Sequence, residues 1–177
     1  MIIRLATNEE DVLACIALEH SYTADHAWQM DFQEHLDGVS VTFRSIRLPR
    51  AMRGRYPRSL DKLMDCWEQG EVILVAEDGD QIVGYLHLAV QESEGTAWVH
   101  NLAVAPRQRR RGIGTALLQS AADWLRQQNV GRLLLEMTTK NYPAIRFAQK
   151  LGFSFCGYND RYYVSQDIAL FFAKSLR

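Results

Sequence analysis

Seven residues, Arg109-Arg110-Arg111-Gly112-Ile113-Gly114-Thr115, have the types and spacing to hold an anion. Before them, Ala97 to Ala105 has strand character, and Pro106 stops the run because proline cannot donate to a ladder. After them, Ile113, Leu117, Ala121 and Trp124 recur at helical steps. A helix that starts here leaves its first amides without internal partners and adds the positive end of its dipole. Gly112 and Gly114 remove the side chains that would keep a phosphate off the backbone, and the arginines add forked donors. A solvated basic turn ahead of a surface helix would use the same residues.

Two phosphate motifs are excluded. A P-loop needs Lys-Ser or Lys-Thr after its last glycine, but Thr115 follows Gly114 directly. A dinucleotide fingerprint needs a third small residue where Leu117 stands. Arg109-x-x-Gly112-x-Gly114 instead resembles the acetyl-coenzyme A loop of the GNAT superfamily of N-acetyltransferases. The resemblance extends to LAVAP (102–106), similar to the family's fourth strand, and LLLEMTTKN (133–141), similar to its fifth. NYPAIRFAQKLGF (141–153) is similar to the helix that follows.

The resemblance implies acetyl-coenzyme A as cofactor. Backbone groups of Leu102, Ala103 and Val104 would hold its pantetheine arm, and Arg109, Arg110, Arg111, Gly112, Ile113, Gly114 and Thr115 its pyrophosphate. Asn141 matches the asparagine near the thiol end, and also suits a plain N-cap. Direct transfer to an amine needs a proton acceptor and donors for the oxygen that gains charge, with no nucleophilic cysteine. Trp98 replaces the base of the histone-acetylating branch. Glu136, five residues before Asn141, matches the base of the branch that acetylates protein N-termini. Leu134 and Thr138 on its strand face would desolvate it, although a salt-bridged glutamate fits the same position. His100 is the competing base, with His87 expected beside it on the neighbouring strand. The family's usual acid, a tyrosine four residues before the LGF glycine, is replaced by Ala148, which leaves Tyr142, Tyr158, Tyr162 and Tyr163 as candidates. The leading expectation is an enzyme that acetylates a primary amine of a small molecule or a peptide N-terminus. The rival is a non-catalytic acyl-coenzyme A-binding module.

The elements that must position these groups read as one α/β domain over residues 1–177. Its core spans about 71–158, and a variable substrate-side segment spans about 21–70. Met1 to Ala6 reads as a strand, and Thr7 with Glu10 as a capping box for a helix ending near His20 to Tyr22. From Ser21 to Arg58 the pattern is poor, except for an alternating strand at Val39 to Leu48 and a basic loop between Pro49 and Pro57. Trp28 and Phe32 in this segment suit either ordinary packing or a wall of the amine pocket. Leu60 to Trp67 makes a short helix closed by Gly70. Glu71 to Glu77 and Gln81 to Val90 pair through Asp78-Gly79-Asp80. A last hairpin, Phe153 to Tyr158 with Tyr162 to Lys174, turns at Asn159-Asp160. The expected sheet is mixed. Its N-terminal half is mostly antiparallel, a central parallel pair splays around acetyl-coenzyme A, and helices cover both faces.

The 177 residues are 47% hydrophobic and 23% charged, with formal net charge -1, so no global field drives the chain onto nucleic acid or membrane. No apolar run reaches a membrane span, and MIIRLATNEED carries no secretory apolar region. Cys15, Cys66 and Cys156 form no CxxC pair, and His20, His26 and His35 have no ligand spacing, so no metal is expected. The expected location is the cytoplasm, and a homodimer is compatible with the sequence.

Overall fold

The computed structural model describes residues 1–176, apart from the side chain of Glu92. A seven-stranded sheet runs in the order β1 (Ile2–Leu5), β4 (Val72–Asp78), β5 (Gln81–Gln91), β6 (Thr96–Val104), β7 (Arg132–Thr138), β9 (Ala169–Ser175), β8 (Ser154–Asn159). β6 and β7 pair in parallel, and every other neighbouring pair is antiparallel. This is the mixed sheet expected from the sequence, with helices on both faces.

Side-chain alternation along the strands builds two cores. On one face α1 (Glu9–Ala17) and α2 (Leu63–Glu68) bury Val12, Cys15 and Leu63 against Ile73, Val75, Tyr85 and Ala103. On the other, α3 (Ile113–Gln127) and α4 (Tyr142–Lys150) bury Leu117, Leu118, Ala121, Leu125 and Ile145 against Leu74, Leu86, Leu88, Val99 and Leu135. Ala148 sits fully buried in this second core.

β6 and β7 part where a bulge forms. Their parallel register runs from Thr96↔Arg132 to Val99↔Leu135 and stops, while both strands continue. On its other edge β6 pairs Val99 with Leu88 and Asn101 with His87, which leaves His100 as the extra residue. A bulge bends its strand and disrupts the ladder locally, often beside a functional site. Here it turns the rest of β6 away from β7 and opens a cleft between them.

Several local readings are corrected. The cap of α1 is Asn8, whose side chain accepts from the Asp11 amide (2.9 Å). Asp11, rather than Glu10, reaches back to the Thr7 amide (2.9 Å), because its carboxylate is held there by Arg4. The helix stops at Ala17, short of His20. Residues 22–54, poorly legible in sequence, form a long ribbon of β2 (Tyr22–His35) and β3 (Gly38–Gly54). β3 runs into the predicted basic loop as far as Gly54. Pro49 is tolerated because it lies in an irregularity between the pairs Ala24↔Met52 and His26↔Arg47, where no ladder donor is needed. At the other end of the chain β9 begins at Ala169, not Tyr162.

The ribbon is fastened over the cleft end of the sheet. The Trp28 amide donates to the Thr139 carbonyl (2.9 Å), and the His26 ring stacks on Tyr142 at the start of α4 (5.0 Å). The chain that leaves β3 then crosses the cleft with Tyr56, Pro57 and Arg58.

Candidate active site

The cleft encloses about 80 Å³. Val99, His100 and Leu102 of β6 line one side, Leu135 to Thr138 of β7 the other. Asn141, Ala144 and Phe147 of α4 contribute from one end, and Tyr56, Pro57, Arg58 and Tyr163 close it.

Both candidate bases lie in it, in different states. The Glu136 side chain is 1% exposed and faces a fork: Arg58 donates through Nε (3.1 Å) and through a terminal nitrogen to both carboxylate oxygens (2.7 and 2.8 Å). Tyr162 donates to the same carboxylate (3.1 Å). The expectation of a carboxylate among apolar neighbours therefore meets a forked, bidentate contact with an arginine. Leu134 and Thr138 flank it along the strand, but Arg58, 78 positions earlier in the chain, takes the contact.

His100 is the opposite case. Its Nδ1 is buried without a hydrogen-bond partner, 3.9 Å from Glu136 Oε2. Burial first, then the Arg58 guanidinium, hold its imidazole below the ordinary histidine range, so the ring is neutral at pH 7. The neighbour expected at His87 is present, with ring centroids 5.9 Å apart, and Trp98 stacks on the other side at 6.5 Å.

Of the four tyrosines left open by Ala148, Tyr163 lines the cleft. Burial, reinforced by the Glu136 carboxylate, pushes its phenol up, so it keeps its proton. Tyr142 stacks on His26 and Tyr158 packs on Phe43. Tyr56 was not singled out in the sequence. It donates to Asn101 Oδ1 and lies 3.2 Å from the His100 carbonyl. Nothing in its local pattern announced this, because the long ribbon decides where it lands.

The anion loop has the shape the sequence asks for. Gly112 caps α3 at φ 86°, a left-handed conformation that favours glycine, and open space lies where a Cβ would stand. Ala116 donates to the Gly112 carbonyl (2.9 Å) as the first intrahelical bond, so the amides of Ile113, Gly114 and Thr115 point out of the helix start. A Cβ on Gly114 would come 3.3 Å from Phe147 of the cleft wall. Arg110 and Arg111 are exposed beside the loop. Arg109 does something else: it donates to the carbonyls of Val104, Ser21 and Glu19, each at 2.8 Å, and so ties the loop to the start of β2. With Leu102, Ala103 and Val104 on the open side of β6, these residues fit an extended, phosphorylated ligand running from the loop into the cleft. Asn141 lines the cleft and also caps α4 through the Ala144 amide (3.2 Å).

Trp28 and Phe32 stay outside. The Trp28 indole packs between Phe43, Phe155 and Phe172, with centroids 5.7 to 6.2 Å away, and Phe32 is 51% exposed on the ribbon. The segment reaches the cleft through Tyr56 to Arg58 instead. Among the described residues, Cys66, Glu71 and His87 each bring a ligand atom within 4.8 Å of the others, but Glu71 and His87 are already hydrogen-bonded (2.5 Å). No helix among the described residues is long and apolar enough to cross a membrane.

Residues 42–153 match the model of the acetyltransferase (GNAT) family. The streptothricin acetyltransferase of Streptomyces lavendulae is 35% identical over 91 residues, covering 51% of this chain and 48% of that protein. The [ribosomal protein bS18]-alanine N-acetyltransferase of Escherichia coli (strain K12) is 37% identical over 71 residues, 40% of this chain and 48% of that one. The chain thus spans about half the length of the curated relatives it matches. In fold it resembles a nourseothricin acetyltransferase (TM-score 0.83, 24% identity, 99% of this chain and 98% of that one). A putative streptothricin acetyltransferase from Bacillus anthracis str. Ames, in complex with acetyl coenzyme A, is also similar (TM-score 0.78, 18% identity, 98% and 97%).

Proposed function

The chain belongs to the acetyltransferase (GNAT) family, and from that premise we propose that it transfers an acetyl group from acetyl-coenzyme A to a primary amine, with His100 as the proton acceptor. When bound, acetyl-coenzyme A supplies a thioester carbonyl as the electrophile. The amides at the start of α3, with Arg110 and Arg111, hold its phosphates, and the free side of β6 at Leu102 to Val104 holds the extended arm.

The observation that carries the assignment is the buried, unpartnered Nδ1 of His100 in the cleft wall. A buried nitrogen without a partner costs stability, and a neutral imidazole here is an available base. Nδ1 accepts the proton that the amine nitrogen loses as the new C–N bond forms and the C–S bond breaks. Glu136, 3.9 Å away, stabilises the imidazolium, while Arg58 holds that carboxylate in place. Tyr163, which lines the cleft and holds its proton, is our candidate to give one to the departing sulfur.

Among amines, a streptothricin-type antibiotic is the first reading, supported by the 35% identity to the Streptomyces lavendulae protein. An N-terminal alanine is the second, supported by the 37% match to the Escherichia coli enzyme and by the spacing of Glu136 to Asn141. Thiol release from acetyl-coenzyme A should be measured with streptothricin and with an alanyl-headed peptide. His100→Gln should lower kcat by about 10²-fold or more, the scale of general base catalysis, with coenzyme A affinity unchanged. A crippled Glu136→Gln beside a nearly normal His100→Gln would return the base to Glu136. Coenzyme A binding without thiol release on either amine would favour the non-catalytic reading that Ala148 keeps open.

A further inference from the structure

A line of hydrogen bonds crosses from the α2 face of the sheet into the cleft, and elementary donor and acceptor rules give it one direction. It begins at Glu71, whose carboxylate only accepts, so the proton of the contact with His87 Nε2 (2.5 Å) sits on the imidazole. His87 is buried, and burial holds it neutral, so its other nitrogen, Nδ1, is bare and must accept. The side-chain nitrogen of Asn101 lies 3.2 Å away and donates to it. This orients the amide and turns Asn101 Oδ1 toward Tyr56, where it accepts the phenolic proton. The other group that Tyr56 meets, the carbonyl of the bulged His100 at 3.2 Å, is also an acceptor. The single proton of Tyr56 is therefore directed into the protein, and its oxygen lone pairs are left for the cleft that Tyr56 lines.

We propose that Tyr56 is the hydrogen-bond acceptor that seats the N–H of the substrate amine beside His100, and that Glu71, through His87 and Asn101, fixes this polarity from outside the cleft. The inference rests on the acetyl-transfer reading of the same cleft. It adds a specificity rule: the subsite takes a donor, an amine or ammonium, and disfavours a carbonyl or carboxylate at the same place. Tyr56 touches the amine, whereas Glu71, His87 and Asn101 are positioning residues. Glu71→Gln keeps the shape but can donate as well as accept. The proton of His87 can then move to Nδ1, Asn101 can turn, and its nitrogen then takes a lone pair of Tyr56.

The experiment has a substrate-free arm and a kinetic arm. Nitrogen-15 NMR of histidine-labelled protein at neutral pH should find His87 protonated at Nε2 and bare at Nδ1, and Glu71→Gln should reverse that tautomer. With streptothricin and the alanyl-headed peptide as probes, Tyr56→Phe should raise the amine KM by about tenfold, the scale of one hydrogen bond to a charged group, with coenzyme A affinity unchanged. Glu71→Gln should raise the same constant by about threefold at an unchanged Tm, which a merely structural role would not do. If Tyr56→Phe does not fold, Glu71→Gln carries the kinetic arm alone. Turnover with His87 protonated at Nδ1, or with the amine KM unmoved in the folded variants, overturns this inference alone. No turnover of either probe overturns the acetyl-transfer reading and this one with it.

Discussion

Arg58 acts on both candidate bases of the cleft. It forks onto Glu136 and it depresses His100 by direct repulsion. Taking the guanidinium away removes that repulsion and leaves Glu136 free to attract a proton onto His100, so both effects raise the imidazole pKa. Arg58→Met should therefore move the acidic limb of kcat/KM to higher pH, toward or above the ordinary value of 6.5. A limb that stays where it is in the wild type would remove His100 from the base role. The sequence nominated Glu136 and His100, and both are in the cleft. It did not nominate Arg58 or Tyr56, because their partners lie 78 and 45 positions away. A side chain's environment at that separation is a property of the fold and has no local pattern.

At the scale of elements, the loop before α3 and the bulge in β6 carry the site. Gly112 was legible because the requirement is local: a chain that must turn from strand to helix with φ 86° selects glycine. Gly112→Val would put a β-branched residue into that conformation and a side chain into the open space in front of the amides. Calorimetry should show coenzyme A affinity lowered by at least about tenfold, or ~1.4 kcal/mol. A folded variant with wild-type affinity would disprove the phosphate role of the loop. The bulge at His100 was not legible, since WVHNLAV reads as an unbroken strand. Only the pairing of Asn101 with His87 and of Val99 with Leu88 makes His100 the extra residue. The ribbon of β2 and β3 was half legible. Val39 to Leu48 alternates, but SYTADHAWQMDFQEH does not, because one strand of an open ribbon packs its residues on α4, Phe172 and solvent in turn.

Three imidazoles within or beside the sheet, buried His87 and partly buried His20 and His100, are each held below the ordinary histidine value of 6.5, with burial as the first cause. An unfolded chain binds protons at these sites at a higher pH than the folded one. Stability is therefore full above about 6.5 and falls as pH drops through 6.5 toward the folded values. Asp11, held down to about 2 by Arg4, acts lower in the range: its contribution is present above the ordinary carboxylate value of 3.8 and is lost as pH falls toward 2. Melting curves should show Tm dropping from pH 7 to pH 5, before carboxylates titrate. A flat Tm over that interval would mean that the histidines are solvated.

The sequence by itself determined the order of strands and helices from Glu71 to Phe153, the glycine turn into α3, and the family to which these belong. Those signals are local: helical period, alternation, turn glycines and a short loop motif each act within a few residues. It also placed both candidate bases, Glu136 and His100, on the strands that border the cleft. Only the tertiary structure decided their states. A bulge makes His100 the extra residue of β6, where its Nδ1 is unpartnered and burial holds its ring neutral, and a ribbon of distant sequence delivers Arg58 to Glu136 and Tyr56 to Asn101. Protonation state depends on what desolvates and what neutralises a group, and both are set by residues that meet only after folding.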